Sequence, residues 1–309
     1  MRRRASTALF SNHQSGIVLI TCLLTLMVIA VITSVYMMQA RGQVGEARGL
    51  QNKIRQCTVA REHFDLVLYQ LLTQRRDLLS GRAAPQVSGY ESDSGFWNYY
   101  SQPFEFRGSE VRLQDLAGVL SVQDLLYRSG QQIMPGLGVS EDQARIFRAS
   151  LRDWQDKDDL YRLDGAERDW YEQQNRPIPR NGNVASANEL KLVRGYPEQL
   201  DGWLEQGWLT LQLQGFFNPL TAPEPLLAAF LNNSALAAEL NSARKEQPLS
   251  AVEFKNRTGI AESERLLMAP SPALEVWVAA SNNQARCVRS FIVNLRGNSR
   301  SPYTLEASY

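Results

Sequence analysis

No charged residue interrupts the stretch 17–37, "IVLITCLLTLMVIAVITSVYM". As an α-helix it would reach about 30 Å, the thickness of a bilayer's hydrocarbon core. The apolar part of a secretory signal is shorter. A signal cut also wants small residues at the third and first positions before it, and Met38 and Ala40, the best pair, satisfy only one of them. The pattern therefore predicts an anchor that is kept. Arg2, Arg3 and Arg4 precede it and belong on the cytoplasmic side, so the rest of the chain is expected across the membrane. Apolar positions then continue at spacings of three and four through Val44, Ala47, Leu50, Ile54, Cys57, Phe64, Leu68 and Leu71. One long helix over 17–79 follows, with Gly42, Gly45 and Gly49 marking a soft point just outside the membrane. Its outer half has one polar face, as expected of a helix laid on a sheet.

The period changes further along. Glycines, serines and Pro85 mark a loop over 80–94, and "FWNYY", "FEF" and "EVRLQDL" read as short strands. From 122 to 270 the segments are short and helical, among them "SEDQARIFRASLRDW", "PEPLLAAFL" and "SALAAELNSARK"; several have Ser or Pro at the start and Gly near the end. Strand patterns return in "ALEVWVAA", "RCVRSFIVNL" and "YTLEA". The last strands need neighbours, and the earlier ones supply them if the helical region is an insertion. The expected fold class is α+β: an antiparallel sheet, covered by the N-terminal helix and interrupted by an all-α insertion. The expected divisions are 1–16, 17–38, 39–121, 122–270 and 271–309.

Charge and chemistry add limits. Of 33 Lys and Arg, three lie in the leader, and against 32 Asp and Glu the part after Gly16 is left slightly acidic. Nucleic acid is not the expected partner. "SANELKLVRGYPEQL" and "SAVEFKNRTGIAESE" share the outline of helix-hairpin-helix units, which grip a DNA backbone through turn amides, but in a slightly acidic chain outside the cytoplasm they read as packing modules. Only His13 and His63 are present, too few for histidine-based hydrolysis or a histidine metal site. Of the three cysteines, Cys22 lies in the membrane run; Cys57 and Cys287 are either a disulfide, which the compartment permits, or two unpaired thiols.

The stretch 153–172, "DWQDKDDLYRLDGAERDWYE", mixes acids with Trp154, Trp170, Tyr161 and Tyr171, which argues against a plain solvated charge run. Asp158, Asp159 and Asp164 fall where a helix should end, and hard oxygen ligands grouped on a loop suit calcium, although the spacing is not that of an EF-hand. Helix caps and ion pairs to Arg162 and Arg168 are the competing reading. A carboxylate pair for glycoside hydrolysis has no separation in the sequence to support it.

Taken together, the short leader ending in Gly16, the apolar run, the block "LRDWQDKDDLYRLDGAERDWY", the following "NGNVASANELKLVRGY" and the late "NPLTAPEPLLAAFL" resemble the K-type minor pseudopilins of type II secretion systems, the GspK family. The resemblance implies a pilin-like sheet with a large helical insertion, and a structural subunit rather than an enzyme. It implies cleavage by prepilin peptidase between Gly16 and Ile17, with methylation of the new Ile17 amine. It implies assembly with I-type and J-type minor pseudopilins and the major pseudopilin, at the inner membrane with the C-terminal domain in the periplasm. Calcium is implied too, with Asp156, Asp158, Asp159, Asp164 and Glu167 as candidates by their place in the matching block. Most pilin-like subunits carry a glutamate at the fifth mature position, paired with the amine of the subunit ahead; here that position is Thr21. An unpaired carboxylate in the membrane is costly, and a leading subunit has nothing ahead to pair with it. Tip placement is the expectation. The alternatives are a minor pilin of a type IV pilus-like system and a membrane-anchored periplasmic calcium-dependent binding protein.

Overall fold

The computed structural model describes residues 15–73, 97–212, 215–296 and 300–308. The leader up to residue 14 and the loop expected over 80–94 lie outside the described residues. The first element, α1 (Ser15–Thr73), is a continuous helix of 59 residues, about 88 Å long at 1.5 Å per residue. Gly42, Gly45 and Gly49 do not break it, and its expected end at residue 79 lies outside the described residues.

The helix has two chemically distinct halves. From Ile17 to Met38 its apolar side chains are exposed, Ile20 at 61% and Leu24 at 58%, and the segment is long and apolar enough to cross a membrane. Further on, Ala60, His63, Phe64, Val67, Leu68 and Leu71 form one buried stripe. That three-and-four spacing is what a helix needs to present a single face to a sheet.

The sheet is antiparallel throughout, in the order β1 (Phe104–Phe106), β2 (Ser109–Asp115), β5 (Ala273–Ser281), β6 (Arg286–Asn294), β7 (Thr304–Ser308). Alternation puts Val111, Leu113, Val276, Val278, Phe291 and Val293 into the core beneath α1. Phe64 stacks on Phe291 with ring centroids 3.8 Å apart. Cys57 of α1 and Cys287 of β6 form a disulfide, with Cα atoms 5.1 Å apart. "FWNYY" is not a strand of this sheet: Trp97 and Asn98 are irregular, and Tyr100 makes an isolated bridge to Gln114.

Strands β2 and β5 are neighbours, in register from Glu110↔Ala279 to Asp115↔Leu274, so everything between them is an insertion. It begins directly after Asp115, earlier than the expected residue 122, because Leu120–Ser121 pairs in parallel with Leu209–Thr210 inside the insertion rather than with the sheet. These two short strands are β3 and β4. The insertion's helices include α2 (Arg128–Gly136), α3 (Glu141–Gln155), α4 (Arg168–Gln173), α5 (Asp201–Glu205), α6 (Glu224–Leu231), α7 (Ser234–Glu246) and α8 (Ala251–Thr258). Their boundaries follow local chemistry: Ser140 and Asn233 cap α3 and α7, and Ser250 with Glu253 closes a capping box on α8. Phe147, Trp154, Tyr171, Phe217, Phe230 and Phe254 anchor a second core.

"SANELKLV" forms a 3-10 helix, Ala187–Leu192, instead of an α-helix. Its turn is a packing device: a Cβ on Gly195 would lie 2.9 Å from the backbone nitrogen of Phe147. At the root of the insertion Asp115 is fully buried. Its Oδ1 accepts hydrogen bonds from the backbone N–H of Ala117 at 3.0 Å and of Ser271 at 3.1 Å. Its Oδ2 accepts from Thr221 Oγ1 at 2.8 Å and Asn218 Nδ2 at 3.3 Å. One side chain thus ties the exit strand, the return strand and the middle of the insertion.

Candidate metal centre

Helix α3 buries Phe147, Leu151 and Trp154 on one side, and Asp153 goes with them, fully buried. The helix stops at Gln155, and Asp156 follows in extended conformation, its N–H donating to the Arg152 carbonyl. The chain loops out and returns at Glu167, which precedes α4 and is also buried. Each of Asp153, Asp156 and Glu167 offers a carboxylate oxygen, and the three lie within 4.8 Å of one another.

Arg162 is the cation that faces this group: its Nη1 donates to Asp153 Oδ1 at 2.7 Å and also to Asp156 Oδ2. The Arg162 backbone N–H donates to Asp153 Oδ2 at 3.1 Å. Gly165 lets the returning strand of the loop approach, since a Cβ there would fall 1.9 Å from Asp153 Oδ2. Three carboxylates against one guanidinium leave a surplus of negative charge in a buried place. Burial, and after it the nearby Asp153 and Asp156, push the Glu167 carboxyl up to about 7. Among the described residues, Asp156 Oδ1 and both oxygens of Glu167 are buried without a hydrogen-bond partner. Buried polar oxygens are normally satisfied, so three orphans together call for a ligand that supplies positive charge.

The donor set fits a hard divalent cation. Calcium takes 6–8 oxygens at flexible geometry, and Asp156 and Glu167 have free carboxylate oxygens to give. Asp153, already accepting from Arg162 through both oxygens, orients the loop as well as adding charge.

The candidates read from the sequence divide here. Asp156 and Glu167 come together, joined by Asp153, which the sequence reading missed. Asp158, Asp159 and Asp164 stand outside the cluster. Asp158 Oδ1 accepts from the Leu160 N–H at 2.9 Å, a local turn. Asp159 accepts from Asn181 Nδ2 at 3.2 Å. Asp164, at a positive φ of 68°, pairs with Arg145 at 2.8 Å. Asp158 thus closes a turn, Asp159 takes a hydrogen bond from a neutral amide, and Asp164 is ion-paired. The signal that marked Asp153 is its position: an acid on the face that also carries the buried Ser150 and Trp154 is out of place unless it has work there.

At the other end of the chain Ile17 and Thr21 lie in the first turns of α1, where the Thr21 hydroxyl donates to the carbonyls of Ile17 at 3.1 Å and Val18 at 2.9 Å.

A helix long and apolar enough to cross a membrane continues as the spine of an antiparallel sheet, and a helical insertion lies between two adjacent strands, which is an α+β architecture. Residues 113–204, which hold the root of the insertion and the acid centre, match the family model described as "Type II secretion system (T2SS), protein K". Over that stretch the resemblance to K-type minor pseudopilins holds. A chain of "The Crystal Structure of the GspK-GspI-GspJ complex from enterotoxigenic Escherichia coli Type 2 Secretion System" is similar over 88% of this chain and 98% of its own length, at 14% identity and a TM-score of 0.49. No curated protein matches the chain.

Proposed function

We propose that this protein is a minor pseudopilin of the type II secretion system, a structural subunit that starts and caps the periplasmic pseudopilus. The observation that carries the reading is the split of α1: an exposed apolar half of membrane length is continuous with a half buried under the sheet. Such a helix carries a rigid head on a membrane anchor, and anchors associate by packing in the bilayer. Prepilin peptidase would cut before Ile17, leaving the anchor on the mature chain in the inner membrane and the head in the periplasm. Methylation would follow on the new amine.

Thr21 satisfies its hydroxyl within its own helix, so it asks nothing of a subunit ahead. The Ile17 amine remains available to a glutamate of the subunit behind. The insertion, about 150 residues in bulk, is hard to repeat along a closely packed shaft and suits a terminal position. I-type and J-type minor pseudopilins are the expected neighbours, with the major pseudopilin below. Calcium at Asp153, Asp156 and Glu167 would brace the insertion. Co-purification with I-type and J-type subunits, combined with site-directed cross-linking along the assembled fibre, tests this. Cross-links confined to one fibre end support the reading; cross-links spread along the shaft at the abundance of the main subunit defeat it.

A further inference from the structure

Between the apolar half of α1 and the sheet lies a stretch of helix that nothing in this chain covers: residues 39–51 and 53–55 are exposed, and Gln56 is the first buried residue after the anchor. The stretch is poorly made to stand alone. It holds Gly42, Gly45 and Gly49, and a Cβ at any of them would have nothing within 4 Å, so no packing inside this chain asks for glycine there. Its charges are not paired along the helix either. No acid lies three or four residues from Arg41, Arg48, Lys53 or Arg55, and none of the four has an ion pair among the described residues. Higher up, Arg61 has Asp65 in such a position, at 3.3 Å. A helix with interior glycines and no cross-turn pairs takes its stability from packing against something else.

The side-chain pattern says what that is. Met37, Ala40, Val44, Ala47, Gln51 and Ile54 follow one another at spacings of 3, 4, 3, 4 and 3, the alternation of a coiled-coil seam, with only Gln51 polar. At about 100° per residue this seam lies opposite the stripe of Ala60, Val67 and Leu71 that the sheet covers, so a second helix can run along it without meeting the head. Arg41, Arg48 and Arg55 recur every seven residues on one flank of the seam, the position that sets partner choice between paired helices. Three cations in a row there select carboxylates. Lipid does not supply them: Arg48 and Arg55 lie about 15 and 26 Å beyond Met38 along the helix, past a headgroup layer of about 5–8 Å. A second copy does not either. Two anchored copies run parallel, and each arginine then faces Tyr36, Gln43 or Leu50, none of them acidic.

We infer that residues 37–55 dock in parallel against the helix of a different membrane-anchored subunit, one that carries acidic residues at seven-residue intervals facing Arg41, Arg48 and Arg55. The inference rests on the proposed secretion role for the identity of that neighbour, another pseudopilin. The neighbour's chemistry is set by the seam and the arginines.

The test uses the full chain in its native cells, with the photo-cross-linker p-benzoylphenylalanine placed at Val44 or Ile54 and the products mapped by mass spectrometry. The expected product joins this chain to the anchor helix of one other pseudopilin, beside its acids. Changing Arg41, Arg48 and Arg55 together to glutamate should lower its yield at least about fivefold, and changing all three to lysine should leave it nearly unchanged. The three side chains are exposed, so the thermal midpoint of the head should be the same in both variants as in wild type. Converting the facing acids of the partner to lysine should restore the product with the glutamate variant. No product at either position, a product with a second copy or with lipid alone, or a yield that the glutamate variant leaves unchanged overturns the inference. A product that needs the arginines but joins an anchored protein outside the secretion system keeps the inference and overturns the proposed function instead.

Discussion

Glu167→Gln is the most informative single change in the acid centre. In the cation-free protein the Glu167 carboxyl stands at about 7 against its ordinary 4.5. A raised carboxyl pKa means that the folded state holds the proton more tightly than the unfolded chain. The fold is thus favoured below pH 4.5 and loses stability as the pH climbs from about 4.5 to about 7, after which this group contributes no further change. The shift corresponds to about 3 kcal/mol. Glutamine keeps the shape and removes the charge. Urea unfolding with EDTA should therefore find Glu167→Gln more stable than wild type by up to about 3 kcal/mol at pH 8, and nearly equal to it at pH 4.5. With millimolar calcium the order should reverse at pH 8, because wild type gains binding energy that the variant cannot. A variant less stable than wild type at pH 8 in EDTA would refute the reasoning. The same offset at both pH values would refute it too, since a structural defect does not titrate.

Two further changes probe the frame around the centre. Replacing both Cys57 and Cys287 by alanine opens a link across 230 residues, and the chain-entropy estimate puts the loss at up to about 5 kcal/mol; guanidinium unfolding with and without reductant should find wild type sensitive to reductant and the double variant not. Asp115→Ala leaves the N–H groups of Ala117 and Ser271 and the Thr221 hydroxyl without their buried acceptor, so a loss of about 3 kcal/mol or more is expected in thermal unfolding.

How much of this was legible in the sequence follows the range of the interactions. The anchor, the buried stripe of α1 and strands β5 and β6 are written as local periods, and their reading carries over to the structure. The insertion could be placed from the order of strand and helix patterns, but its start could not. The Leu120–Leu209 pairing that moves it to Asp115 joins residues far apart in the chain, and no local period records such a contact. In the acid segment, composition pointed to the loop that holds Asp156 and Glu167 and missed Asp153, the most deeply buried acid of that cluster. Asp158, Asp159 and Asp164 have the loop positions that suggest metal binding, yet they are engaged by a turn, by the Asn181 side chain and by an ion pair to Arg145. Asp153, in the last turn of a helix, was hidden by its regular surroundings.

The proposed role requires that the apolar half of α1 be kept and its leader removed. Mass spectrometry of the N-terminus, from cells with and without prepilin peptidase, tests this most directly. A mature chain that begins at Ile17, carries one added methyl group and appears only with the peptidase is the expected result. A chain that still begins at Met1 when the peptidase is present, or one cut after Ala40, would contradict it.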